Sequence, residues 1–293
     1  MASYLYAVVP WPLVAGPAAK SPAKTARASK RAKATPGRGG RAEKAAPNAA
    51  PAGVTPFVAT DGPDLGAGVG DPPRAVEKLV YGDLAALVSG VAPGEVGGEN
   101  VRSLRRDMKA HSALLNRLVE LGAASVLPVR FGVVFPTAQL LVDRLLKPQH
   151  SLLKAHLDRL AGATEVSLKV TYAEDEVLKE VVAEHPELAR RSGGGGSYQA
   201  KIDLGQRIAR EIQARQERDA QWVLDTLKPV VRDVRTGKPG SAMAVLSASF
   251  LVEKKGMDRF DRVLERLDAE AGRVMRFDCV GPLPPYSFAD LRL

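Results

Sequence analysis

The sequence predicts an α+β protein of two domains, residues 1–147 and 148–280, closed by a tail over residues 281–293. Three observations lead there. The 293 residues are enough for two domains of about 150 residues each. Strand-like stretches centred on Val166, Ala248 and Met275 alternate with helical patterns, giving the strand–helix–strand–helix–strand order of a ferredoxin-like half. The ending "VGPLPPYSFADLRL" packs three prolines and two aromatic residues into one short segment, too rigid for a helix and too apolar for an idle extension.

Taken in order, Tyr4–Val9 reads as a first strand. It is not read as a signal peptide, because no Lys or Arg precedes it and Pro10 and Pro12 interrupt the apolar run. Between Pro17 and Pro56 the chain carries nine basic residues against the single acid Glu43, with 13 Ala, 6 Pro and 4 Gly. Removing that tract from a chain of net charge +9 leaves a nearly neutral remainder. Such a composition buries too little apolar surface to offset its ordering entropy, so residues 17–74 are expected to be a disordered basic insertion.

Structure is expected to resume with a strand at Leu79–Tyr81 and a turn or short helix over Asp83–Ser89. A helix follows, capped by Asn100 and stopped by Gly122, with Val101, Leu104, Met108, Leu115 and Leu118 at core spacing. "VLPVRFGVVF" reads as a bent strand or strand pair, with Pro128 and Gly132 at the bends. Two short helices with hydroxyl N-caps, Thr137 to Lys147 and Ser151 to Ala161, lead into "TEVSLKVTY". That segment alternates Val166, Leu168, Val170 and Tyr172 against Glu165, Ser167, Lys169 and Thr171, a half-buried strand. After a helix ending near Pro186 comes a flexible Gly-rich loop over 192–198, then a long helix to Lys228 with Ile202, Ile208, Ile212 and Leu224 inward. A strand at "AVLSASFLVEK", a helix built on Phe260, Val263, Leu264 and Leu267, and the strand "RVMRFDCV" complete the second domain.

A catalytic or metal-binding reading finds little support. His111, His150, His156 and His185 lack metal-ligand spacing. Cys279 shares a strand face with Met275 and Phe277 and reads as a buried structural thiol; as the one cysteine it fits a reducing cytoplasm. Gly193–Gly196 lacks the lysine of a phosphate loop, and Glu174–Glu176 is a helix-dipole cluster. The basic tract has no aromatic residues on which bases could stack. No apolar run of about 18 residues or more is present to span a membrane. No catalytic residue, cofactor, small-molecule substrate, membrane association or nucleic-acid partner is therefore expected. A polyanion- or nucleic-acid-binding adaptor working through the basic insertion is kept as the alternative. Two stretches ask for a role: Arg130 in an apolar strand, and a rigid tail presenting Tyr286 and Phe288, expected to pack back on the first domain as a clasp.

"YLYAVV", "LPVRFGVVF", "LLKAHLDRLAGATEVSLKVTY" and "RFDCVGPLPPYSFADL", in that order, resemble the gas vesicle protein F and L family. The resemblance spans the chain apart from the basic insertion, with Leu283 standing where an aromatic residue is common. It implies two α+β domains, the second modified ferredoxin-like, and a C-terminal tail returning to the first domain. It also implies a non-enzymatic accessory protein of gas vesicles that supports shell nucleation and assembly. The implied partners are the main gas vesicle shell protein and other gas vesicle accessory proteins, and the implied location is the gas vesicle or cytoplasm. The family-motif positions are Arg130, Phe131 and Gly132 in the first stretch and Gly281, Pro282, Pro285, Tyr286, Ser287 and Phe288 in the second.

Overall fold

The computed structural model describes residues 1–13, 55–97, 100–186, 198–238, 240–289 and 291. It is an α+β protein that divides into two compact units, one of Met1–Ala161 with Leu291–Leu293 and one of Gly162–Asp290. The division follows the helix that was expected to open the second domain, because that helix packs on the first unit's strands.

The first unit contains strands β1 (Ala2–Pro10), β2 (Phe57–Ala59), β3 (Glu77–Tyr81) and β4 (Leu84–Val91), and then helix α1 (Val101–Glu120). Two short strands follow, β5 (Leu127–Pro128) and β6 (Val134–Phe135). Helix α2 (Ala138–Leu141) runs into a π turn over Val142–Leu146, and α3 is His150–Leu160. The antiparallel sheet has the order β2-β3-β4-β1-β5, with β6 also pairing with β1. Central β1 is covered on both faces. Tyr4, Tyr6 and Val9 share a core with Leu114, Leu115 and Leu118 of α1, while α2 and α3 also pack on β1.

Asn100 caps α1 by accepting from the Ser103 amide at 3.0 Å, and Gly122 ends it at φ +70°. Thr137 caps α2 through the Leu140 amide. The start of α3 departs from expectation. Gln149 precedes the helix without a side-chain cap, and Ser151 lies inside it.

Asp83 lies in a turn, as expected, but Leu84–Ser89 forms strand and not helix. Tyr81 pairs with Leu84 across a two-residue turn, with Gly82 at φ +64°. Strand β4 is buried on both faces, so it has no period-two alternation to announce it. Residues 55–74 also correct the expected disorder. There β2 adds to β3 with Phe57 opposite Val80, and Leu65 and Val69 are buried. Backbone pairing to an existing strand orders the segment despite its poor composition. Residues 17–54 of the expected insertion, and the Gly-rich loop up to residue 197, lie outside the described residues.

The second unit contains β7 (Ala163–Tyr172), α4 (Glu174–Glu184), α5 (Tyr198–Leu227), β8 (Asp233–Thr236), β9 (Ala244–Glu253), α6 (Met257–Ala271) and β10 (Met275–Leu283). A 3-10 turn over Lys228–Val230 ends α5, and another over Tyr286–Phe288 follows β10. Its antiparallel sheet has the order β10-β7-β9-β8. This is the ferredoxin-like arrangement with two helices in its first crossover. Val166, Leu168, Val170 and Tyr172 point into a core with Phe250, Phe260, Val223 and Leu227. Strand β8 has no counterpart in the expected order. It is an edge strand with no buried residue, specified by its pairing to β9. Among the described residues, no helix is long and apolar enough to cross a membrane.

Candidate functional site

The first motif stretch is held from behind by β1. Val129 donates its amide to the Tyr6 carbonyl at 2.9 Å, and Leu5 donates to the Val133 carbonyl at 3.0 Å. Between these anchors the chain turns at Gly132, whose φ of +96° favours glycine. The Gly132 amide donates to Tyr4 Oη at 3.3 Å, and Phe131 lies half-buried beside His111 with ring centroids 5.8 Å apart. Arg130 is exposed. Phe131 and Gly132 thus shape the turn, and Arg130 carries a charge to its surface.

Behind this turn lies a buried polar relay. His111 Nε2 sits 3.1 Å from the Val129 carbonyl, which can only accept, so Nε2 carries the proton. Nδ1 is then the acceptor for Tyr4 Oη–H at 2.8 Å. Burial pushes the His111 imidazole down to about 4 against the weaker opposing effect of the Val129 carbonyl. Beside it, the Val69 amide donates to Tyr6 Oη at 2.7 Å, Tyr6 Oη–H donates to Ser89 Oγ at 2.9 Å, and Ser89 donates to the Ala75 carbonyl at 2.8 Å. Fully buried Asp107 on α1 accepts from the amides of Gly70 and Gly97 at 3.2 and 3.1 Å, tying two loops to the helix.

Gly68 makes room for this relay. A β-carbon there would run into Tyr6 Oη and Ser89 Oγ. Gly68→Ala is expected to cost about 2 kcal/mol of stability through overpacking. Tyr6→Phe, which removes the oxygen in the way, should cost less in the Gly68→Ala background than in the wild type. Thermal unfolding of the two single variants and the double variant checks this, and strict additivity would overturn it.

The second motif stretch sits on the polar face of the second sheet. Gly281 and Pro282 fall where the β10–β7 register shifts, between the pairs Val280–Ser167 and Leu283–Glu165. A bulge is one of the few places a strand accepts proline. A β-carbon at Gly281 would approach Val166 Cγ2 to 3.1 Å and the Glu165 carbonyl to 3.3 Å, so the close crossing favours glycine. Thr164 Oγ1 donates to the Leu283 carbonyl at 2.9 Å.

The following turn is clamped by Glu165, which is buried although it belongs to the outward-facing set of β7. Its two carboxylate oxygens accept from the Ser287 amide at 2.8 Å and from Ser287 Oγ at 2.7 Å. Ser287 Oγ also meets Ser249 Oγ at 3.0 Å. Pro285 and Phe288 are buried, and Tyr286 is 39% exposed. Partial desolvation pushes the Tyr286 phenol up to about 12.

The structure does not bring the two motif stretches into one unit. Arg130, Phe131 and Gly132 belong to the first, and Gly281 to Phe288 to the second. Asp107, His111, Glu165 and Gly68 are the residues that sequence reasoning did not connect to them. Cys279 corrects another expectation, because it is exposed. Strand β10 is the edge of the second sheet, and its residues from Asp278 to Pro282 are exposed. Crowding around its sulfur and the Asp261 carboxylate push the thiol up to about 11, which disfavours a nucleophilic thiolate.

Residues 2–290 match the family described as "Gas vesicle synthesis protein GvpL/GvpF". Gas vesicle protein F of Streptomyces sp. (strain CB03234) is 38% identical over 234 residues, covering 78% of this chain and 93% of that protein. Gas vesicle protein L of the same strain is 28% identical over 249 residues, covering 76% and 85% respectively. The crystal structure of gas vesicle protein GvpF from Anabaena sp. PCC7120 shares the fold, with a TM-score of 0.69 at 24% identity over 81% of this chain and 99% of that one. The match runs through both units, and the chain belongs to the GvpL/GvpF family of gas vesicle synthesis proteins.

Proposed function

We propose that this chain supports gas vesicle assembly by holding subunits of the main shell protein, restraining their association while a vesicle nucleates alongside other accessory proteins. The observation that carries this reading is the first half of α1. Val101, Leu104 and Met108 occupy core spacing, yet they are 63%, 37% and 48% exposed. An apolar stripe at i, i+3 and i+7 on an exposed helix is the kind of surface that docks another apolar element. The stripe continues the buried line of Leu115 and Leu118 beyond the part of α1 that packs on the sheet. A shell subunit with exposed apolar surface gains by covering it. The higher identity to protein F than to protein L of one organism supports an F-type role.

The test is capture of the main shell protein by the tagged full chain, compared with Val101→Glu/Met108→Glu. Both side chains are exposed, so the variant should fold, and its capture should fall by on the order of tenfold or more. Deleting residues 17–56 should leave capture unchanged and insensitive to salt. The reading fails if the wild type captures no shell protein and its loss leaves vesicle yield intact. Salt-sensitive capture of polyanions that disappears with the deletion would instead move the activity to the basic tract.

A further inference from the structure

Helix α6 gathers three arginines on one side. Arg259, Arg262 and Arg266 fall within roughly 60° of one another around the helix axis, whereas Asp258, Asp261, Glu265 and Asp268 occupy a separate sector and Glu270 alone among the acids shares the arginine side, one turn beyond Arg266. All three arginines are exposed. Among the described residues none of the three has an ion-pair or hydrogen-bond partner. Other arginines of the same unit are differently placed. Arg215 pairs with Glu180, Arg232 with Glu253, and Arg273 with Glu176 and Glu180.

The three arginines line one wall of a cleft of about 660 Å³. Its other wall is the end of α5 and the 3-10 turn after it, where Pro229 and Val230 provide apolar surface, joined by Ala269 of α6. Three neighbouring guanidinium groups repel one another unless an anion is present, and each presents a planar fork suited to a carboxylate. Seven residues of helix separate Arg259 from Arg266, a span of about 10 Å. Two turns of a partner helix or three residues of extended chain cover that distance.

We infer that the α5–α6 cleft is a docking site for an acidic amphipathic peptide segment of a partner protein. Its carboxylates would meet Arg259, Arg262 and Arg266, and its apolar side chains would cover Pro229, Val230 and Ala269. Charge complementarity selects acid. Two features of the lining select a peptide over a nucleic acid. No aromatic side chain is present for bases to stack on, and Glu265 stands in the same lining, where it repels a continuous phosphate backbone. This site is independent of the apolar stripe on α1, so a partner held here does not require shell binding there.

Fluorescence anisotropy with the full chain tests it. The probes are a synthetic amphipathic helix with Glu at i, i+3 and i+7, the same peptide with Lys in place of Glu, and a single-stranded oligonucleotide of equal negative charge. The acidic peptide should bind. Arg259→Gln/Arg262→Gln/Arg266→Gln should weaken it on the order of tenfold at low salt, and added salt should shrink the difference. A control variant that removes as much charge elsewhere, Lys201→Gln/Arg207→Gln/Arg210→Gln, should bind like the wild type. The inference is overturned if the acidic peptide does not bind, or if both triple variants weaken it equally. It is also overturned if the oligonucleotide binds more tightly than the peptide and is the probe lost in the Arg259/Arg262/Arg266 variant, which would make the cleft a nucleic-acid site. Circular dichroism and Trp222 fluorescence confirm that each variant is folded.

Discussion

Acidification from about pH 7.5 to about pH 4.5 is expected to destabilise the first unit by about 2.5 kcal/mol through His111 alone. The imidazole titrates near its ordinary value of 6.5 in the unfolded chain and at about 4 in the folded one, chiefly because burial disfavours the charged ring. Between those values the unfolded chain binds the extra proton and the folded chain does not. The stabilisation is therefore complete above about 6.5 and is lost as pH falls towards 4. The geometry gives the same sign. Protonating Nδ1 would set two donors, the ring and Tyr4 Oη–H, against each other unless the hydroxyl turns away.

The measurement is urea unfolding of wild type and His111→Gln at the two pH values. Trp11 packs on the first core and serves as the reporter in a Trp222→Phe background. Subtracting the variant removes the acid sensitivity of other groups. Glu95, for example, is held below the usual carboxylate range by its bonds to the Ala92 amide and Arg74, and it loses that stabilisation in acid in both proteins. Equal pH dependence in wild type and variant would refute the role of His111.

What could be read from the sequence was what the sequence encodes locally. Asn100, Gly122 and Thr137 act on groups within a turn of themselves and were legible as caps and stops. The alternation in β7 and the apolar face of α6 reported their own packing. Strands β2, β4 and β8 were missed for a different reason. Strands β2 and β8 are short edges defined by a partner strand, and β4 is buried on both sides. Periodicity also cannot say where a neighbouring element ends. It placed Cys279 in line with Met275 and Val101 in line with Leu115, but only Met275 and Leu115 are buried. Glu165 shows the limit most plainly, since a residue on the polar side of a strand is buried by a turn 122 positions later in the chain.

That same contact gives the other large effect. Glu165→Ala is expected to lower the stability of the second unit by about 3 kcal/mol. The substitution removes two charge-assisted hydrogen bonds and takes the acceptor from the Ser287 amide. Glu165→Gln keeps one acceptor oxygen and should cost about half as much, while Ser287→Ala leaves the amide bond intact and should cost about 1 kcal/mol. Urea unfolding followed by Trp222 in a Trp11→Phe background ranks the three. The turn also sets how Tyr286 is presented, which supplies a readout independent of global stability. Its phenol is raised to about 12 by desolvation. If Glu165 holds the turn in place, Glu165→Ala should return that phenol towards its ordinary value of 10.0 in an alkaline ultraviolet titration. A variant that is destabilised but keeps the raised phenol would mean that the prolines position the turn without Glu165. A variant within about 0.5 kcal/mol of the wild type would mean that the carboxylate does not clamp it at all.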